Sequence, residues 1–466
     1  MFQTEKLFYQ DAYIKEFTAT VLDCREGKKG FEMVLSATTF YPEGGGQPYD
    51  TGILQSMEET AFTKEDPAAA ELAEIGSETG IAATGLVGTG SINKEQAGMS
   101  VAAGSMLRSV HVLEVHEKNG ELIHYTDAPL ATGTTVHGKI DWARRFDLMQ
   151  QHSGEHIVSG LVHTAYGYDN VGFHMGSDVI TIDFNGELDM AALLEIEARA
   201  NEVIWQNQET HIFYPSAEEL KELPYRSKKE LTGEVRIVEF PVKTPLISGT
   251  PGKSSPAAAD IDITQLPYYA DLCACCGLHV ARAGEIGMVK LLSVVKFREG
   301  VRVEMISGKR VLDYLNLVNE QNHQISVLLS AKPAHTAEAV KRSMDENFRL
   351  KGRVMALEEK LFSEEAERLA GAGDVLLFEK DMDSEGVRKL AVAVMETCGG
   401  RCAVFSDNGD GTFKYAVGEK DGDLRAFVKE MNQALNGRGG GKPFFAQGSV
   451  KADAGAIRAF WEAILK

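Results

Sequence analysis

The feature that most constrains this chain is a split pair of motifs, His152-Ser-Gly-Glu-His156 and Cys275-Cys-Gly-Leu-His279, each with two metal-capable side chains four residues apart. Asp141 stands in an N-cap position before the periodic apolar residues Trp142, Phe146 and Met149, so the first motif falls on a helix. Residues i and i+4 share a helix face, and both imidazoles can reach one ion. Cys275 and His279 fall where a loop meets the next strand and can close the other side. Three His and one Cys make a borderline-soft ligand set that suits one Zn²⁺ per chain. A single helical His pair would be weak evidence, but two pairs, one with Cys, outweigh incidental surface or core histidines.

At 466 residues the chain has room for two to four domains with real cores. Its 44% hydrophobic and 25% charged content is that of a soluble globular protein. The net charge of −20 argues against indiscriminate polyanion binding, while leaving room for a nucleic-acid partner held by local basic patches. The start Met-Phe-Gln-Thr-Glu-Lys has no signal-peptide pattern, and no apolar run approaches a membrane span. A cytoplasmic location without a membrane partner is therefore expected. Three of the six cysteines, Cys273, Cys275 and Cys276, crowd one metal-like motif, which reads as a reducing compartment rather than a disulfide framework.

The expected fold class is α+β, in four regions. Residues 1–140 read as a small β-barrel, with β-branched or alternating runs such as Phe17-Thr-Ala-Thr-Val-Leu and an Ala/Gly/Glu/Ser/Thr-rich insertion at about 55–108. Within it, Gly44, Gly45 and Gly46 make either a hairpin turn or a close backbone approach to a ligand. Residues 141–308 read as an α+β metal-binding domain with a Pro/Ser/Ala-rich insertion near 243–265. From 309 to 370, Val311, Leu315, Val318, Asn322, Ile325 and Leu329 follow a heptad spacing, Pro333 ends that helix, and Leu350, Val354, Leu357 and Leu361 begin another. This reads as a coiled-coil-like arm for oligomerisation or spacing, or as two helices packed on the body. Residues 371–466 alternate as α/β and carry Asn436-Gly-Arg-Gly-Gly-Gly-Lys-Pro443, which is not a P-loop because Pro443 replaces the Ser/Thr after Lys442. Arg438 and Lys442 on that glycine loop suit a phosphate or RNA-backbone contact.

Phe40-Tyr-Pro-Glu-Gly-Gly-Gly-Gln-Pro-Tyr-Asp50, His152-x₃-His156, Cys275-x₃-His279-Val and Gly284-Glu-Ile-Gly287 occur in an order that resembles the editing half of alanyl-tRNA synthetase and, more closely, the free-standing AlaX alanyl-tRNA editing proteins. Gly437-Arg-Gly-Gly-Gly-Lys-Pro443 resembles the synthetase's C-terminal domain, also found on DHH phosphoesterases. The likeness covers nearly the whole chain outside the two insertions and fits the long form. It implies a zinc-dependent trans-editing deacylase that hydrolyses seryl- and glycyl-tRNA for alanine, with that tRNA as partner. The barrel starts at the N-terminus with no aminoacylation domain before it, so the chain is not expected to charge tRNA. Homodimerisation through the arm and C-terminal domain is compatible with this pattern. Where the family usually has Cys-Gly-Gly-Thr-His, this chain has Cys276 and Leu278, so Cys273 or Cys276 competes with Cys275 as the ligand.

Serine is alanine plus a hydroxyl, and a site that hydrogen-bonds the hydroxyl rejects the analogue lacking it by about 10⁴–10⁵. Thr38 is the candidate for that contact, or a plain β-branched strand residue. Gln47 and the amides of Gly44–Gly46 can hold the terminal adenosine or a developing oxyanion. Glu155 is a general base or a solvated helix carboxylate, and His174 a pocket wall or an ordinary strand residue. Two rival classes remain. His-x-x-Glu-His is also a metalloprotease pattern, although such an enzyme has no use for Cys-x₃-His. Four filled ligand positions also suit a tRNA-binding protein whose zinc is only structural.

Overall fold

The structure is a computed structural model that describes residues 2–28, 30–57, 108–227, 233–243 and 268–464. Most of the two insertions expected near 55–108 and 243–265 lies outside the described residues. The chain divides into two compact units, Met1–Asn319 and Glu320–Lys466.

The first unit begins with a closed six-stranded barrel in the order Glu16–Gly27, Gly30–Leu35, Glu121–Thr126, Ser109–Lys118, Gly52–Ser56 and Thr135–Ile140. Closure leaves no free edge. The inward positions of these alternating strands, among them Val21, Met33, Leu54, Val112 and Val136, form the barrel's own core. Thr135–Ile140 leads directly into the 25-residue helix Trp142–Tyr166, hereafter the site helix. Asp141 caps it by accepting the backbone N–H of Arg144, as its position implies, and Gly167 ends it in the left-handed region with φ 70°.

The site helix is buried almost all round from Leu148 to Val162, so it is a central element rather than an amphipathic surface helix. Two glycines permit this. A Cβ on Gly154 would lie 2.3 Å from Oγ of Ser307, and one on Gly160 would lie 2.1 Å from the carbonyl oxygen of Ala270. The helix therefore packs closely on strands from two sheets. One is the four-stranded sheet Val289–Phe297, Gly300–Ser307, Ile180–Phe184 and Asn170–Met175; the other is the three-stranded sheet His211–Phe213, Ile237–Pro241 and Tyr269–Ala274. Helix Met190–Gln206 joins the same core. Among the described residues, no helix is long and apolar enough to cross a membrane.

The helices Lys309–Leu328 and Thr336–Arg368 occupy the expected arm. Asn322, the polar residue of the heptad seam, donates to the carbonyl of Pro333 at 2.9 Å and accepts from Thr336 Oγ1 at 2.7 Å, so it fastens the turn. The seam itself is not closed. Ile325, Val354, Leu357 and Leu361 are between 39% and 61% exposed.

The second unit is a five-stranded sheet in the order Gly373–Lys380, Gly399–Asp407, Phe413–Glu419, Phe445–Val450 and Arg438–Lys442, parallel only in its first pair. Helices Ser384–Met395, Arg425–Ala434 and Ala454–Ile464 accompany it. The glycine stretch expected as a loop is instead the exposed edge strand Arg438–Lys442, zipped to Phe445–Val450 from Arg438↔Ser449 to Lys442↔Phe445. Glycine has poor strand propensity, but at a sheet edge the ladder to one neighbour is enough to extend it.

Candidate metal centre

The two motifs meet. One ligand atom from each of His152, His156, Cys275 and His279 lies within 4.8 Å of the others. The rings of His279 are centred 4.6 Å from those of both His152 and His156, and Sγ of Cys275 lies 3.5 Å from Nε2 of His152. His152 and His156 come from one face of the site helix, and Cys275 and His279 from the loop that follows strand Tyr269–Ala274. Gly277 is required in that loop, since a Cβ there would lie 2.1 Å from Cε1 of His152.

A shell of acceptors orients the imidazoles. Nδ1 of His152 faces Oε1 of Gln47 at 3.0 Å, and Nδ1 of His156 faces Oδ2 of Asp271 at 2.8 Å. Both oxygens only accept, so both Nδ1 atoms donate and Nε2 is the ring nitrogen left to face the other ligands. Nδ1 of His279 sits 3.3 Å from Oγ of Ser153, and Nε2 of His279 is buried with no partner among the described residues. An orphaned buried ring nitrogen beside a cysteine is a lone pair that a metal ion would satisfy. Burial opposes the Cys275 thiolate, but the imidazoles of His152 and His156 outweigh it and hold the thiol well below its ordinary value. Burial pushes His279 down to about 3, keeping that ring neutral. For His156 burial works in the same direction, but Cys275 and Asp271 prevail and raise it to about 10. Three imidazoles and a thiolate fit a single zinc ion.

Of the four, His156 and Cys275 line a cavity of about 820 Å³ whose walls also include Gly45, Gly46, Phe173, Arg236 and Cys276. Gly44 and Gln47 exchange two backbone hydrogen bonds, and Gly45 and Gly46 between them have φ of 60° and 83°. The glycine run is thus a tight turn, and it also approaches the cavity: a Cβ on Gly45 would lie 2.9 Å from Sγ of Cys276, and one on Gly46 would lie 2.6 Å from Phe173. Gly44 does not reach the wall. Cys276 lines the cavity but is exposed and outside the ligand group, and Cys273 groups instead with His156 and Asp271.

Other expected site residues lie elsewhere. Thr38 is completely buried in the barrel; its Oγ1 pairs with Nε2 of His124 at 2.9 Å and accepts the N–H of Phe40. It does not reach the cavity wall. Glu155 is buried and accepts from Ser159 at 2.6 Å and from Asn170, so it is neither solvated nor on the wall. A helix buried on every face must satisfy such a carboxylate internally. His174 is exposed: alternation along strand Asn170–Met175 turns Val171 and Phe173 toward the cavity and His174 away. Gln47 is completely buried and holds His152 and the N–H of Leu278 through one oxygen, while its Nε2 has no partner among the described residues.

Sequence reasoning missed Phe173, which stacks on His152 at 5.6 Å, and Arg236, which donates to the carbonyls of Cys275 and Gly277. It also missed Asp271, although that residue stands four positions before Cys275.

The DHHA1 domain model matches residues 372–466. The chain is 29% identical over 438 residues to an alanine–tRNA ligase of Halobacterium salinarum, covering 90% of this chain but 39% of that protein. It is 23% identical over 463 residues to the alanyl-tRNA editing protein AlaX-L of Pyrococcus horikoshii, covering 96% of this chain and 95% of that one. Among solved structures, the C-Ala domain from Aquifex aeolicus alanyl-tRNA synthetase is 22% identical, with 19% of this chain and 87% of that chain covered at a TM-score of 0.17. The chain thus spans about two fifths of that ligase and nearly all of AlaX-L.

Proposed function

We infer, for a chain that belongs to the AlaX family of alanyl-tRNA editing proteins, that it hydrolyses the ester linking serine or glycine to tRNA for alanine, in trans and with one zinc ion. The observation that carries this reading is the convergence of His152, His156, Cys275 and His279 on one point, with His156 and Cys275 on the wall of a cavity large enough for an aminoacylated nucleoside. Zinc held by these four residues supplies polarisation of an ester carbonyl or a bound water whose pKa falls to about 7. The chain's own residues position the reactants. Gln47 acts through His152 rather than on substrate, and Gly45 and Gly46 line the cavity, which makes their amides the candidates to hold the terminal adenosine or an oxyanion.

Glu155, bound to Ser159 and Asn170, is not free to serve as a base, which counts against a protease. A purely structural zinc is the second reading, favoured by four protein ligands filling the tetrahedron. Arg438 and Lys442, exposed on the edge strand, suit the tRNA backbone, and the uncovered apolar arm suits a second copy of the chain. A role in translation fits a cytoplasmic location.

The test is deacylation of tRNA for alanine carrying serine, glycine or alanine. Hydrolysis of seryl- and glycyl-tRNA well ahead of alanyl-tRNA supports the reading. Tight tRNA binding without hydrolysis of any of the three supports the structural-zinc alternative.

A further inference from the structure

We propose that Asp271 and Arg226 are positioning residues of the metal centre, setting how tightly His156 holds an ion; the proposal rests on the zinc reading above. Asp271 is 1% exposed and accepts the Nδ1–H of His156 through Oδ2. That contact directs Nε2 of His156 toward Cys275 and His279. Arg226 grips both oxygens of the same carboxylate, Nε to Oδ1 at 2.7 Å and Nη2 to Oδ2 at 3.0 Å. Arg226 is in turn fixed by its backbone, which donates to the carbonyl of Leu272 at 2.8 Å and accepts from the N–H of Ala274 at 2.9 Å. The result is a chain of contacts from strand to guanidinium to carboxylate to imidazole.

Gly160 supports the same assignment from the helix side. It stands one turn beyond His156, and a Cβ there would lie 2.7 Å from Cβ of Asp271. Only glycine lets the site helix come near enough for His156 to reach Asp271. His156, Asp271 and Cys273 could by composition hold an ion of their own. They are not a second site, because the guanidinium and His156 already occupy both oxygens of Asp271 and a dication would sit beside the fixed charge of Arg226. Asp271 serves the first centre from behind, and losing such an outer partner typically weakens metal binding about 10- to 100-fold.

The experiment uses the full chain and measures the zinc dissociation constant by competition with a chelator, together with the absorption spectrum of the Co²⁺-substituted protein. Wild type, Arg226→Gln, Asp271→Asn and the double variant are compared, with far-UV circular dichroism to check folding. Both single variants are expected to bind zinc about 10- to 100-fold more weakly and to shift the Co²⁺ bands. Because Arg226 acts through Asp271, the double variant should be no weaker than Asp271→Asn alone. A role confined to stability would lower the melting temperature and leave the dissociation constant and the bands in place. If Asp271→Asn does not fold, Arg226→Lys carries the test, since lysine keeps the charge but not the two-pronged grip, and its affinity should fall between wild type and Arg226→Gln. Unchanged zinc affinity in a folded Arg226→Gln, or losses that add in the double variant, overturns the proposal. A wild type that takes up no zinc overturns the metal reading itself, and this inference with it.

Discussion

The hydroxyl of Thr38 donates to Nε2 of His124 across 2.9 Å inside the barrel. The direction follows from the other ring nitrogen, since Nδ1 of His124 faces the carbonyl of Met33 at 3.2 Å and must donate to it. Thr38 also accepts the N–H of Phe40, so its hydroxyl is engaged on both sides. Thr38→Val should therefore cost about 1–3 kcal/mol of stability, because the ring nitrogen and the amide are left unpaired. The ratio of kcat/KM for seryl- and alanyl-tRNA should stay as in wild type. A changed ratio at unchanged stability would restore Thr38 as the discriminating residue.

Burial lowers His124 to about 4, against about 6.5 for a free imidazole. The folded state resists protonation that the unfolded chain accepts. Its contribution is thus complete above about pH 6.5 and declines as the pH falls toward about 4, by about 3 kcal/mol in all. Urea unfolding between these pH values should show the decline, and His124→Gln should flatten it. An equally steep decline in His124→Gln would assign the titration to another group.

Arg145 and Asp50 form a completely buried pair, and Arg145 also donates to the carbonyls of Ala12 and Thr39. This joins the first turn of the site helix to the segment that carries the glycine turn. Arg145→Met strands a buried carboxylate and should cost about 3–5 kcal/mol, with Asp50→Asn recovering part of it in the double variant. Denaturant unfolding of the three variants measures this, and a loss below 1 kcal/mol would show that the pair does little for stability.

The four ligands were legible because each pair is local: four residues on a helix or in one loop fix a shared direction. Their orienting partners were not, because Gln47, Asp271 and Ser153 each stand more than a hundred residues along the chain from the histidine they meet. Alternation and β-branching disclosed the barrel, yet a β-branched Thr38 reads the same whether it faces a substrate or a barrel histidine. Three consecutive glycines read as a loop, and only the neighbouring strand Phe445–Val450 makes them a strand.

Phe348 is 81% and Met344 67% exposed on helix Thr336–Arg368, one turn apart. Replacing both by Glu should reduce self-association in sedimentation velocity while leaving zinc content unchanged. A protein that sediments as a monomer before substitution would remove the homodimer from the account.

The most direct measurement is the rate of seryl-tRNA hydrolysis by one preparation as purified, after metal removal, and after readdition of one equivalent of zinc, with Cys275→Ala alongside. Activity that falls at least 100-fold on removal and returns with zinc, together with a Cys275→Ala variant that holds neither zinc nor activity, is the predicted result. Undiminished hydrolysis by the folded, metal-free protein would contradict it.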